Sequence, residues 1–168
     1  MKRILSFALA ALALEIATVT VLSQSIARAE QASDIPLLQA VAHNDTALVK
    51  HLIAKGASTE ARDRTGNTAL MIAAGCGYFE MARLLVEAGA QVNARGYLSN
   101  TALIYAARDG HTEIVELLIE EGAQVHAQNE YGNSALGLAE GWGHREIVEI
   151  LKGQPEWSQP RSLLAGLF

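Results

Sequence analysis

"NTALIYAARDGHTEIVELLIEEGAQV", Asn100 to Val125, decides how this chain is read, because it has near copies on both sides. Asn67 opens "NTALMIAAGCGYFEMARLLVEAGAQV" and Asn133 opens "NSALGLAEGWGHREIVEILKG". The three openings stand 33 residues apart. A fixed period of this size marks stacked supersecondary units, each too small to bury its own apolar face alone.

Physical chemistry accounts for the letters that repeat. Thr68, Thr101 and Ser134 stand where a hydroxyl can cap the first N–H groups of a helix. Leu70, Ala73 and Ala74 recur at helical spacing, and the small residues let neighbouring helices approach closely. Gly77, Gly110 and Gly143 suit a tight turn into a second helix, whose apolar stripe in one unit is Ile114, Val115, Leu117 and Leu118. Gly56, Gly89 and Gly122 can take the left-handed conformation that ends that second helix.

Asp63-Arg64-Thr65-Gly66-Asn67-Thr68, Ala106-Ala107, Gly110-His111, Glu113-Ile114-Val115, Leu117-Leu118, Gly122-Ala123 and Val92-Asn93-Ala94 together resemble the ankyrin-repeat family. That resemblance implies an all-α solenoid of four helix–turn–helix units linked by β-hairpin-like loops. The units run 34–66, 67–99, 100–132 and 133–153, followed by a tail, 154–168. Two departures from the family pattern stand out: Ala69, Ala102 and Ala135 replace its proline, and Met71, Ile104 and Gly137 replace its helix histidine. Both are expected to soften the first helical turn. The outer units read as caps, with His51 in place of Leu84 and Leu117 and Lys152 in place of an apolar residue. The apolar tail, with Trp157 and Leu163 to Phe168, is expected to fold back over the last helix pair, with partner docking as the alternative.

Met1-Lys2-Arg3, the apolar run "ILSFALAALALEIATVTVL" and Ala27-Arg28-Ala29 have the form of a secretory signal peptide, 1–29, cleaved after Ala29. An uncleaved anchor is the alternative, and either exports the remainder, to the periplasm or outside. Lys2, Arg3, Arg28 and Glu15 fall in this leader, so the other 139 residues carry ten basic and seventeen acidic side chains, net −7. That balance argues against nucleic acid, which calls for a basic footprint. With one cysteine, Cys76, no internal disulfide can form, and packing must hold the fold.

The family resemblance implies binding of another protein through hairpin tips and the exposed side of the first helices. Carried onto this chain, the contact positions are Arg62, Arg64, Thr65, Arg95, Tyr97, Leu98, Arg108, Asp109, Glu130, Tyr131 and Trp142, with Asn67, Asn100 and Asn133 between them. Arg, Tyr and Trp are enriched at binding hot spots. Glu113, Glu116, Glu120, Glu121, Glu146 and Glu149 line the second helices. The expectation is a basic, aromatic front and an acidic back, and a partner that is acidic or offers carbonyls to Arg. The resemblance implies two more specific roles, since some exported bacterial ankyrin proteins are accessory factors to periplasmic enzymes, catalase-associated protection among them, and others are immunity proteins against a toxin.

Little points to catalysis. His111 and His144 recur at a structural position, and no carboxylates or cysteines join the histidines at metal-ligand spacing. No nucleophile elbow, phosphate loop or dinucleotide fingerprint occurs. Cys76 between Gly75 and Gly77 could present a thiol, which keeps a Cys76-dependent redox enzyme as the rival class. The reading is a non-enzymatic module without cofactor or metal, monomeric in isolation.

Overall fold

The computed structural model describes residues 36–153. Helical residues 36–42 (α1) pair with α2, Thr46–Ala54, and α3, Ala69–Cys76, pairs with α4, Phe79–Glu87. The next pairs are α5, Ala102–Asp109, with α6, Thr112–Glu120, and α7, Ala135–Trp142, with α8, Arg145–Lys152. Corresponding helices start 33 residues apart along the chain. Within each of the last three pairs the helices pack on each other, while α3, α5 and α7 stack in one row and α2, α4, α6 and α8 in another. The described residues thus form an all-α repeat solenoid without strands or sheet. None of their helices is long and apolar enough to cross a membrane. The leader, 1–29, and the tail, 154–168, lie outside the described residues.

Local chemistry sets the helix ends. The hydroxyls of Thr68, Thr101 and Ser134 accept from the N–H of Met71, Ile104 and Gly137 at 3.4, 3.3 and 3.2 Å. Met71 also answers in kind, its Sδ accepting from the Thr68 N–H at 3.5 Å. Here, in the one unit with Met71, the substitution of the family histidine leaves a reciprocal cap. Gly77, Gly110 and Gly143 end the first helices at φ 75°, 84° and 79°. Only glycine holds that conformation without strain.

The first-helix row makes the core. Ala73, Ala106 and Ala139 are completely buried, because a methyl group is all that fits where α3, α5 and α7 meet. Leu70, Leu103, Ile114 and Leu118 fill the space between the two rows. At the last pair the pattern changes. Ala74 and Ala107 are buried, but their counterpart Glu140 is exposed and pairs with Lys152 at 3.0 Å. An apolar contact position is thereby turned into a solvated ion pair on the end face. At the other end, His51 and Leu48 are exposed where Leu84 and Met81 are buried.

Candidate functional site

The loops between pairs reach their tips at residues 63–66, 96–99 and 129–132. In the first, the Asp63 carboxylate accepts from the N–H of Thr65 and Asn67 at 2.8 and 2.9 Å and from the Thr65 hydroxyl at 2.7 Å. Burial acts to raise the Asp63 pKa from its usual 3.8. The Thr65 hydroxyl and the N–H groups of Asn67, Thr65 and Gly66 outweigh it, and the pKa is lowered. Asn129 performs the same task in the third loop, accepting from Tyr131 and Asn133 N–H, both at 3.0 Å. Each of these loops closes with one antiparallel bridge, Arg62 to Thr68 and Gln128 to Ser134.

The middle loop is built differently. Gly96 replaces the Asp/Asn, and Ser99 replaces the left-handed glycine of its neighbours, Gly66 and Gly132. Asn67 of the preceding loop supplies the missing acceptor: its Oδ1 takes the Tyr97 N–H at 2.9 Å and the Tyr105 hydroxyl at 3.1 Å. Leu98 and Ser99 both sit at positive φ, 55° and 59°. Non-glycine residues there cost about 1 kcal/mol or more each. The strain is held by bonds to the next loop, Glu130 N–H to Leu98 O at 3.0 Å and Ser99 hydroxyl to Glu130 at 3.3 Å.

Several of the expected contact residues are bonded into the loop frame. The Arg62 guanidinium donates to Gly66 O at 2.7 Å and to Arg95 O, 33 residues on, at 2.8 Å. Arg95 repeats the pattern to Ser99 O and Gln128 O at 3.4 and 2.9 Å. Both arginines are staples between loops. Asn67 and Asn100 belong to the same frame, Asn100 being buried and accepting from Asn129 Nδ2 at 2.9 Å. Thr65 is engaged in its own turn with Asp63 and Asn67. Arg108 makes a two-point bond to neighbouring Asp109, at 2.8 and 2.7 Å, and lies 5.1 Å over the Tyr105 ring. The carboxylate's hydrogen bonds raise the Arg108 pKa, and its charge is neutralised in place.

Four expected contact residues remain free-standing. Tyr97, Tyr131 and Trp142 are 52%, 70% and 67% exposed, and Arg64 is exposed. None of the four side chains has an ion pair or hydrogen bond among the described residues. Asp63, Asp109 and Glu130 interleave with the arginines, so the front is aromatic and of mixed charge rather than basic. Beside Arg64, a depression of about 580 Å³ has an apolar floor of Leu38, Ala42 and Ile72. The six expected glutamates of the second helices are all exposed.

His111 and His144 reach back to the preceding pair, Nε2 donating to Gly75 O and Arg108 O at 3.2 and 3.0 Å. Cys76 is exposed and unpaired. Among the described residues no cluster of three His, Cys, Asp or Glu side chains could hold a metal ion.

No curated protein matches the chain. The family model for ankyrin repeats (3 copies) matches residues 7–96 and 95–157, most of the sequence, and with the stacked helix pairs this establishes that the chain belongs to the ankyrin-repeat family.

Proposed function

We propose that this protein is an exported, non-enzymatic binding module whose partner, another protein, seats on the loop tips and first-helix face. Ankyrin repeats generally serve protein–protein interaction. The observation that supports this face is the exposure of Tyr97, Tyr131 and Trp142 on a frame of bonded loops. Large aromatic surfaces held in water by rigid backbone are what a partner can bury with little loss of conformational freedom. Leu98, Glu130 and Asp109 sit beside them as rim contacts, and the stapled Arg62 and Arg95 hold the tips in place. The module works as a monomer without cofactor, metal or nucleic acid.

Lys2-Arg3, the apolar run and Ala27-Arg28-Ala29 support export to the periplasm or beyond. The reach of the family model back to residue 7 favours a rival in which this segment belongs to the array. N-terminal sequencing of protein from cell fractions separates them: a mature start at Glu30 supports export, and an intact Met1 in the cytoplasm overturns it. In the envelope, the leading role is accessory factor to a periplasmic enzyme of the catalase or oxidative-stress type, with toxin immunity the alternative. An accessory factor raises its partner's activity or stability, whereas an immunity protein inhibits its partner stoichiometrically.

The test is retention from the source organism's envelope extract. The bait is the wild-type protein beside a variant with Arg64, Tyr97, Tyr131 and Trp142 changed to Ala. The expected result is a protein held by the wild type and lost by the folded variant. Equal retention by both removes this face as the site.

A further inference from the structure

Two identical sockets recur along the first-helix row. In each, the left-handed glycine ending a first helix is covered by an imidazole from the next pair, whose Nε2 donates to the carbonyl two residues before that glycine. His111 covers Gly77 and reaches Gly75 O, and His144 covers Gly110 and reaches Arg108 O. The fit is close: a Cβ added to Gly77 or Gly110 would lie 2.5 or 2.6 Å from the ring Cε1. Gly143 has the same conformation, φ 79°, with the Gly141 carbonyl two residues before it. There a Cβ would meet nothing within 4 Å among the described residues. A groove of about 310 Å³ opens beside it, lined by Ala139, Gly143 and Val148 together with Arg145, Glu149 and the Glu140–Lys152 pair. The third socket is built, and no described residue supplies its ring.

We propose that the indole of Trp157, from the chain's own segment after Gly153, fills this socket and clasps the end of the array. The socket takes a flat ring carrying an N–H donor, as both imidazoles show. Residues 154–168 contain no histidine and one tryptophan, and a buried indole N–H needs an acceptor such as the Gly141 carbonyl. Distance allows it. The eight residues of α8 span about 12 Å at 1.5 Å per residue from the socket to Gly153. Four extended residues from Gly153 to Trp157 cover about 13 Å back, before the side chain is counted.

A second copy of the chain is the wrong occupant. Asp45 stands in the register of His111 and His144, and its carboxylate, already accepting from the Leu48 N–H at 3.0 Å, offers no donor to a carbonyl.

The experiment uses the full chain with Trp142→Phe, which leaves Trp157 as the single indole. The expected result is Trp157 emission at shorter wavelength than in the urea-unfolded chain, shielded from acrylamide and independent of protein concentration. Val148→Asp, which replaces one of the groove's two apolar side chains with a carboxylate, should return the emission to the unfolded wavelength while far-UV circular dichroism stays unchanged. Water-like emission in the folded chain overturns the proposal. If deletion of residues 154–168 then still destabilises the fold, another part of the segment covers the face; if it does not, the socket is open to a partner. A shift that grows with concentration assigns the ring to a second copy and overturns it equally.

Discussion

Gly110→Ala tests whether the histidine row locks the helix pairs together. The substitution has two separable costs. At φ 84° any L-residue is strained by about 1–2 kcal/mol, less about 0.4–1 kcal/mol from a more restricted unfolded chain. The new Cβ would also stand 2.6 Å from His144 Cε1 and 2.9 Å from Nδ1, so the ring must leave. Its bond to Arg108 O is lost with it, about 1 kcal/mol, together with the packing of a half-buried ring. Gly89→Ala provides the control, because φ is 88° and a Cβ there would meet nothing within 4 Å. Urea unfolding followed by circular dichroism should place Gly89→Ala about 1 kcal/mol below wild type and Gly110→Ala about 2–3 kcal/mol below, from the sum of these terms. In a His144→Ala background the extra cost of Gly110→Ala should vanish, a coupling of about 1–2 kcal/mol. Equal losses for the two glycines, or strict additivity with His144→Ala, would refute the reasoning.

Three further outcomes follow from the loop frame. Arg62→Ala removes the donors to Gly66 O and Arg95 O and should lower stability by about 1–2 kcal/mol, read by urea unfolding, with partner affinity nearly unchanged. Gly96→Ala drives a Cβ into Asn67 and Met71; overpacking and the lost Asn67 bonds should cost about 2–4 kcal/mol, seen as a lower urea midpoint. Asp63 has a lowered pKa, so its contribution is full above the usual 3.8 and is lost as pH falls through the lower folded value. Wild type should therefore lose stability relative to Asp63→Asn below about pH 4, while at neutral pH the two differ by less than about 1 kcal/mol, since Asn129 shows that an amide makes the same turn. A pH-independent difference in urea midpoints would contradict this.

The frame was legible where a letter does local work. Thr68, Thr101 and Ser134 cap within three residues, and the left-handed glycines end their own helices, so period and residue type were enough. The site was less legible because its bonds run across the period. Arg62 and Arg95 had the composition of a hot spot, yet each reaches a carbonyl 33 residues away. A signal existed: arginine at the same place in two consecutive units, like asparagine at 67 and 100, marks frame rather than variable surface. Arg64, Tyr97 and Glu130 share one register and differ in every unit, as a varied surface should. Arg108 reads in the sequence as a free cation for a different reason, because residue type alone does not show that Asp109 beside it takes up its charge. The middle loop could be read only as a departure, since nothing local reveals that Asn67 completes it.

The most direct measurement is titration of the retained partner against two variants of equal stability, one per face. One carries Tyr97→Ala, Tyr131→Ala and Trp142→Ala, and the other Glu113→Gln, Glu116→Gln and Glu149→Gln. The expected result is a loss of at least about 2 kcal/mol, roughly 30-fold in Kd, for the aromatic variant, with the glutamate variant close to wild type. Unchanged affinity in the aromatic variant, or a larger loss in the glutamate variant, would contradict binding through the loop tips and first-helix face.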